Sequence, residues 1–424
     1  MSISGIKKAL LARRRSRTLR SVAHQASRWL ASLALLGLLL LGSRVNAQEK
    51  KYKVYLDMSY SGNIWQAAAA NGIKALASTP PYDKLIDFKT VISGTDVQKQ
   101  ISDLQSMIAA GANAIILYPL SPAALNRVIQ QACKKGVVVF TYDSTVTEPL
   151  AYNVSNITAR YGANTAQWMV NKLQGKGEII FNHGVAGTAV TKTYDEQAYH
   201  IFKKYPEIKI VGDFFGNWND ATSEQEVSKI LAAHPNVDGI WTVDGTYGSL
   251  QAVIKNRPAR LVVIAGQSNN GYRLLMADPA MQAKGLQGLS SSAGPAVGGY
   301  SFKVMMEVLL GKKKLTGHNV EYPLPWVEAK DIKPCSGDRF ENGCSVFPEG
   351  KVPPLFLDTS LDANLLPELS LDAVQTGNPA AGATIQALPE VKYADNLPGI
   401  NCQDCTAPAD WLEPNLVTAI PVPK

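Results

Sequence analysis

Acidic, amide and aromatic residues recur in this sequence at one kind of place, where a short apolar run stops. Gly136-Val-Val-Val-Phe-Thr-Tyr-Asp-Ser144 ends in Tyr142, Asp143 and Ser144. Ser59, Asn63 and Trp65 follow Val54 to Met58, and Trp218 lies in Phe214 to Asp220. The glycine-containing turn His183 to Thr188 precedes a segment carrying Lys192. Asp244 and the turn Gln267-Ser268-Asn269-Asn270 close two later runs. Carboxylates and amides take paired hydrogen bonds from vicinal hydroxyls, and flat aromatic faces pack on apolar C–H surfaces. The candidate binding set is therefore Ser59, Asn63, Trp65, Asp143, Ser144, Thr188, Lys192, Trp218, Asp244, Gln267, Ser268 and Asn270, suited to a hydroxyl-rich small molecule. Each member has a plainer role open to it: Asp143 as a turn cap, Asp244 as a helix cap, the tryptophans as core. Their recurrence at run ends argues for a ligand.

Little points to an enzyme. No Gly-x-Ser-x-Gly elbow, Gly-x-x-x-x-Gly-Lys-[Ser/Thr] loop or strand-borne Gly-x-Gly-x-x-Gly occurs, and Gly184 to Gly187 only faintly resembles a phosphate loop. The five histidines are scattered, so neither a metal nor a cofactor is expected.

The elements that must position these residues read as strand and helix in alternation. Val54 to Met58, Leu85 to Ile92, Ala114 to Tyr118 and the run ending at Tyr142 are predicted strands. Ile64 to Ala77, a helix opened by a capping box at Thr95 to Gln98, and Pro122 to Lys135 are predicted helices. The pattern restarts with helix 159–173, strand 178–182, helix 190–204, strand 208–214, helix 223–233 and strands 239–243 and 261–265, and its last clear helix is 296–310. Such alternation implies an α/β fold of two doubly wound parallel-sheet lobes joined by a hinge. Linkers are expected near 153–158 and 289–292. The first lobe would cover 48–155, completed by about 291–317, and the second 156–290. Ligands of open α/β sheets sit beyond the carboxyl ends of the strands, which is where the candidate residues lie.

Both ends of the chain differ from this middle. Residues 1–47 hold nine of the 42 basic residues and none of the 35 acidic ones, so the formal +7 conceals a near-neutral remainder and gives no case for nucleic-acid binding. A basic start, the apolar run Trp29 to Gly42 and the small-residue site before Ala47 read as a secretory signal cleaved near Ala47, with an uncleaved anchor as the alternative. The predicted location is the periplasm. Residues 318–424 contain 14 of the 24 prolines and four of the five cysteines, and are expected to form an irregular extension lying on the lobes, with disorder as the competing view. In an exported chain Cys335, Cys344, Cys402 and Cys405 are disulfide candidates with three possible connectivities, local pairing being favoured. Cys133 is expected to be a buried free thiol.

Several segments together resemble the periplasmic sugar-binding proteins of ABC importers, the ribose/galactose-binding class or type I periplasmic binding proteins. They are Ser59-x-x-x-Asn63-x-Trp65 with Gly72, Asp103-Leu104 with Gly111, Val139 to Asp143, Gly187-Thr188, Ala233 to Asp238 and Gly266 to Gly271. The resemblance spans about Tyr52 to Leu315. It implies a hinged trap that closes on one small sugar or polyol and then docks on a membrane permease, with a monomer expected. Asn63, Trp65 and Asp143 would serve from one lobe, and Lys192, Trp218, Asp244 and the Gln267 to Asn270 turn from the other. The family's ribose binders carry arginine where Ser144 and Lys192 stand here, and an aspartate near Ser268; losing those groups argues against ribose itself. The alternative role is a sensory subunit presenting ligand to a receptor kinase or chemoreceptor.

Overall fold

The computed structural model describes residues 51–422, apart from 60–62, 157–160, 258, 292–293, 338–339, 342, 357–363, 394–411 and 414. The expected signal segment 1–47, with its cleavage point near Ala47, and the cysteines Cys402 and Cys405 lie outside the described residues.

Strands β1 (Tyr52–Met58), β2 (Ile86–Ile92), β3 (Ala114–Leu117), β4 (Val138–Tyr142) and β5 (Tyr152–Ser155) build the first sheet in the order 2-1-3-4-5. All its pairings are parallel. Strands β6 (Lys176–His183), β7 (Glu207–Phe215), β8 (Gly239–Thr242), β9 (Val263–Gly266) and β10 (Gln287–Ser290) repeat that order in the second sheet. Each sheet gains a sixth, edge strand from one late segment. β11 (Asn319–Glu321) pairs with β5, and β12 (Val327–Glu328) pairs antiparallel with β10.

Both faces of each sheet are covered, which is why the strands read as uninterrupted apolar runs. Val54, Leu56, Ile116 and Phe140 bury one face of the first sheet under helices α1 (Ile64–Ala77) and α11 (Ala296–Leu309). Tyr55, Ile115, Leu117 and Val139 bury the other face under α3 (Val97–Ala109) and α4 (Asn126–Lys134). The second sheet is layered likewise between α5 (Tyr161–Lys172) with α6 (Ala189–Phe202) and α7 (Asp220–Ala233) with α8 (Thr246–Asn256). The chain crosses between lobes after Ser155, after Ser290 and between Glu321 and Val327.

The structure differs from the sequence expectations in several details. Asn153 to Ser155 and Leu289 to Ser290, read as linker, are the ends of β5 and β10, so the crossings start later. Asn153 is polar yet buried; its amide oxygen accepts from Thr141 Oγ1 and the Val146 amide, each at 2.9 Å, and this replaces the apolar signal of a strand. The residue that caps α3 is Asp96 and not Thr95, because the Asp96 carboxylate receives the Gln98 and Lys99 amides. Cys133 is free but only half-buried, with its thiol near the Leu150 carbonyl.

The extension is irregular, with a 3₁₀ turn at Ala329–Asp331 and the short helix α12 (Leu371–Thr376). Cys335 and Cys344 form a disulfide. Its apolar side chains complete the lobe cores. Phe347, Phe356, Leu366, Leu369 and Val374 join the first-lobe core beside α1 and α11, and Val417 joins that of the second lobe. Polar ties fix it further. Lys303 and Glu368 form a fully buried ion pair at 2.6 Å, and Arg273, also fully buried, donates to the Ser345 carbonyl at 2.7 Å.

Candidate functional site

In a sheet of order 2-1-3-4-5 the connections leave in opposite directions from the first and third strands, and a crevice opens between their carboxyl ends. Both lobes have such a crevice, and the two face each other. Asn63, Trp65, Gln66, Tyr118 and Asp143 from the first lobe and Val190, Tyr194, Trp218, Val243, Asp244 and Gln267 from the second line one cavity of about 40 Å³.

Asp143 follows β4 in the left-handed region at φ 60°. Aspartate tolerates that conformation better than most residues. The turn is held on both sides: the Asp143 amide donates to the Val154 carbonyl at 2.8 Å, and Ser155 Oγ donates to the Asp143 carbonyl at 2.6 Å. The carboxylate is thereby aimed into the cleft, where its hydrogen-bond partner among the described residues is the Tyr118 hydroxyl at 3.4 Å. Burial pushes its pKa up to about 7, against a small lowering by Tyr118. Asp244 follows β8 in the second lobe. Burial first, and then the nearby Asp220 charge, push it up to about 8, while the Gly245 amide pulls it partly back. Two buried carboxylates thus share a cavity whose lining, among the described residues, contains no lysine, arginine or histidine. Each has one protein donor, the Tyr118 hydroxyl for Asp143 and the Gly245 amide for Asp244, and each has lone pairs left for further donors.

The walls are aromatic. Trp65 stacks on Tyr142 (6.4 Å between centroids, 9° between planes) and meets the edge of Tyr118. Trp218, from the second lobe, stands edge-on to Tyr118 at 6.2 Å, so the lobes touch across the cleft through these rings. Trp218 has φ 55°, an outlying value for a bulky side chain and the kind of strain that gathers at ligand clamps. Gly184 makes room for it, since a Cβ there would overlap the Trp218 indole nitrogen and the Thr191 hydroxyl. The site can therefore hold a neutral molecule with several hydroxyl donors and at least one apolar face.

Six of the twelve candidates line this cavity: Asn63, Trp65, Asp143, Trp218, Asp244 and Gln267. Asn63 has a second task, since its side chain caps α1 by accepting the Gln66 amide at 2.9 Å. The other six lie elsewhere. Ser59 is buried at the end of β1, its hydroxyl without a partner among the described residues. Ser144 Oγ donates to the Pro119 carbonyl. Thr188 caps α6 and lines the opposite mouth of the cleft. Lys192 projects into solvent, its ammonium 3.9 Å from Glu196. Val190, Tyr194, Ala198 and Ile201 mark the buried stripe of α6, and residue 192 lies about 200° round the helix from 190. Ser268 is fully buried. Asn270 is engaged by the extension, its amide exchanging two hydrogen bonds with the Phe347 backbone at 2.7 and 3.1 Å.

Sequence reasoning missed Gln66, Tyr118, Val190, Tyr194 and Val243. Tyr118 ends a predicted strand and obeys the same rule that found Asp143, while Tyr194 required only the helical phase of α6. A further missed feature is a polar cluster around the buried His183 in the second lobe. His183 Nδ1 lies 2.8 Å from Asp195 and its Nε2 2.7 Å from Asp213, which also accepts from Tyr199. Among the described residues, no three histidine, cysteine, aspartate or glutamate side chains are grouped as metal ligands.

Residues 54–313 match the model of the periplasmic binding protein domain family. The chain is 29% identical over 165 residues to the xylitol-binding protein of Mycolicibacterium smegmatis, covering 38% of this chain and about half (47%) of that protein. It is 26% identical over 243 residues to the D-allose-binding periplasmic protein of Escherichia coli, covering 55% and 76%. The fold is similar to that of an ABC transporter solute binding protein from Thermobispora bispora, with a TM-score of 0.63 and 23% identity over 80% of this chain and 99% of that one. It is also similar to the fructose binding periplasmic domain of a hybrid two component system, with a TM-score of 0.56 and 17% identity over 66% and 91%.

Proposed function

The chain belongs to the periplasmic binding protein domain family, and from that premise we propose that it captures a neutral sugar or polyol between its lobes and delivers it to the permease of an ABC importer. The protein is a binding component and not an enzyme. The observation that carries the reading is the pair of buried carboxylates, Asp143 and Asp244, in an aromatic-walled cavity whose lining, among the described residues, holds no basic side chain. A hydroxyl-rich ligand would supply further donors to both groups, and closure around it would strengthen each bond by excluding water. Asn63 and Gln267 add amides, and Trp65 and Trp218 offer faces for the C–H side of a sugar ring. The xylitol and D-allose named for two relatives belong to this chemical class. The protein acts as a monomer in the periplasm.

The test is a thermal-shift screen of the purified protein against pentoses, hexoses, deoxysugars, polyols and amino acids. A ligand that binds only the native state stabilises it by RT ln(1 + [L]/Kd), or about 2.7 kcal/mol at a hundred times Kd. One sugar or polyol should raise the Tm, and Asp143→Asn, which keeps the shape but removes the charged acceptor, should weaken binding about 10- to 100-fold. A response confined to amino acids would overturn the reading. The likeness to a two-component sensor domain favours a second role, ligand presentation to a receptor kinase. Deleting the gene separates the two: lost uptake of the ligand marks transport, and lost response with uptake intact marks sensing.

A further inference from the structure

The carboxylate cavity is not the end of the cleft. A second chamber of about 310 Å³ adjoins it, sharing Asn63, Trp65, Trp218 and Asp244 and lined further by Asn269 and Leu355. It is the larger of the two and is continuous with the first through those four residues, so a ligand held between Asp143 and Asp244 can extend into it.

Two properties of this lining indicate a ligand. Asn269 is 1% exposed, yet neither its amide oxygen nor its amide nitrogen has a hydrogen-bond partner among the described residues. Buried amides are almost always paired, and leaving one unmet is costly. The Asn269 backbone is meanwhile fixed, its carbonyl receiving the Arg273 amide at 3.0 Å. The side chain thus offers one donor and one acceptor to whatever enters. Leu355 comes from the extension and is rigidly placed. The neighbouring Pro354 and Phe356 carbonyls accept the Gly271 and Asn270 amides of the second lobe at 2.8 and 2.7 Å. The Phe356 side chain is buried in the core of the first lobe. The extension therefore straddles both lobes at this point and supplies a wall that the two sheets do not.

We infer that this chamber is a subsite for a second sugar unit, so that the cargo is a disaccharide or comparable glycoside and not a free monosaccharide. The inference rests on the sugar reading of the first cavity. One unit lies between Asp143 and Asp244. The glycosidic bond passes between Trp65 and Trp218, and the second unit meets the Asn269 amide with a hydroxyl pair and Leu355 with its apolar face. The extension is then a specificity element of the binding site.

Isothermal titration of the purified protein with matched probes tests this: D-xylose with xylobiose, D-glucose with cellobiose and maltose, and D-galactose with lactose. At least one disaccharide should bind ten or more times more tightly than its monosaccharide. Asn269→Ala should cut that ratio about tenfold without lowering the Tm of the unliganded protein, since the amide has no partner there among the described residues. Leu355→Trp, which fills the chamber, should invert the ratio. A monosaccharide that binds as tightly as every disaccharide would overturn the subsite and leave the sugar reading intact. Tight disaccharide binding unmoved by either variant would overturn the assignment to this chamber. A response to non-sugar solutes alone would overturn the sugar reading and this inference with it.

Discussion

Replacing Glu368 by alanine should destabilise the whole protein, although the residue lies in a proline-rich segment that reads as an irregular extension. Glu368 Oε1 sits 2.6 Å from Lys303 Nζ, with side-chain exposures of 0% and 1%, and also accepts the Gln386 amide at 2.6 Å. Lys303 lies on α11, within the core of the first lobe. Removing the carboxylate strands a buried ammonium that otherwise donates to the Leu365 carbonyl at 3.3 Å. Breaking such a pair from one side costs about 3–5 kcal/mol, and the orphaned Gln386 amide adds about 1 kcal/mol. At about 2–4 °C per kcal/mol the Tm should fall by roughly 10 °C. The double variant Lys303→Met with Glu368→Met removes both charges and should recover most of that loss, because a buried ion pair is worth little more than apolar residues of similar volume. Urea unfolding followed by tryptophan fluorescence measures all three proteins. A Glu368→Ala variant within about 0.5 kcal/mol of the parent, the range of an ordinary surface change, would show that the extension does not dock in solution and would refute the reasoning.

Two predictions concern protons. Asp143 and Asp244 hold protons in the folded, unliganded protein up to about pH 7 and 8. Their folded pKa values lie above the unfolded ones, so unliganded stability should fall as the pH rises across that window. Hydroxyls donated by a ligand favour the ionised forms and pull both values down, so affinity should strengthen from about pH 5 to about pH 8; calorimetry in buffers of different ionisation heat should show proton release, and affinity that weakens with pH would contradict it. For His183, burial opposes the charge, but Asp195 and Asp213 outweigh it and leave the pKa raised. Its contribution is fully present below about pH 6.5 and lost as the pH climbs through the folded value, so His183→Gln should cost more stability near pH 5.5 than near pH 8.5 by urea unfolding, and an equal cost at both would refute the charged pairing.

Much of this architecture was legible because it is written in local patterns. Alternating strand and helix signals gave two α/β lobes, and the rule that ligands meet strand ends led to Asp143, Trp218 and Asp244. What escaped was decided by partners far away in the chain. The amide of Asn270 looks like its neighbours in the turn, but Phe347, 77 positions later, takes both of its hydrogen bonds. Its neighbour Asn269 is left to face the cleft. Lys192 was misleading for a different reason, because residue type was weighed before helical phase. The extension lacked periodicity and so suggested a covering layer. Its apolar residues instead fill space beside α1 and α11 that the sheets leave open.

The way the chain closes its lobes has a consequence for the order of assembly during synthesis. The edge strands of both sheets come from residues 319–328, the first-lobe core takes side chains as late as Val391, and the second takes Val417. Asn171 and Tyr205 also bond to the Thr418 and Ile420 carbonyls. No N-terminal fragment ending before Val417 contains both lobes in finished form, although the first lobe begins at residue 52. A nascent chain that appears N-terminus first therefore keeps the first lobe unfinished until Val391 has emerged and the second until Val417 has.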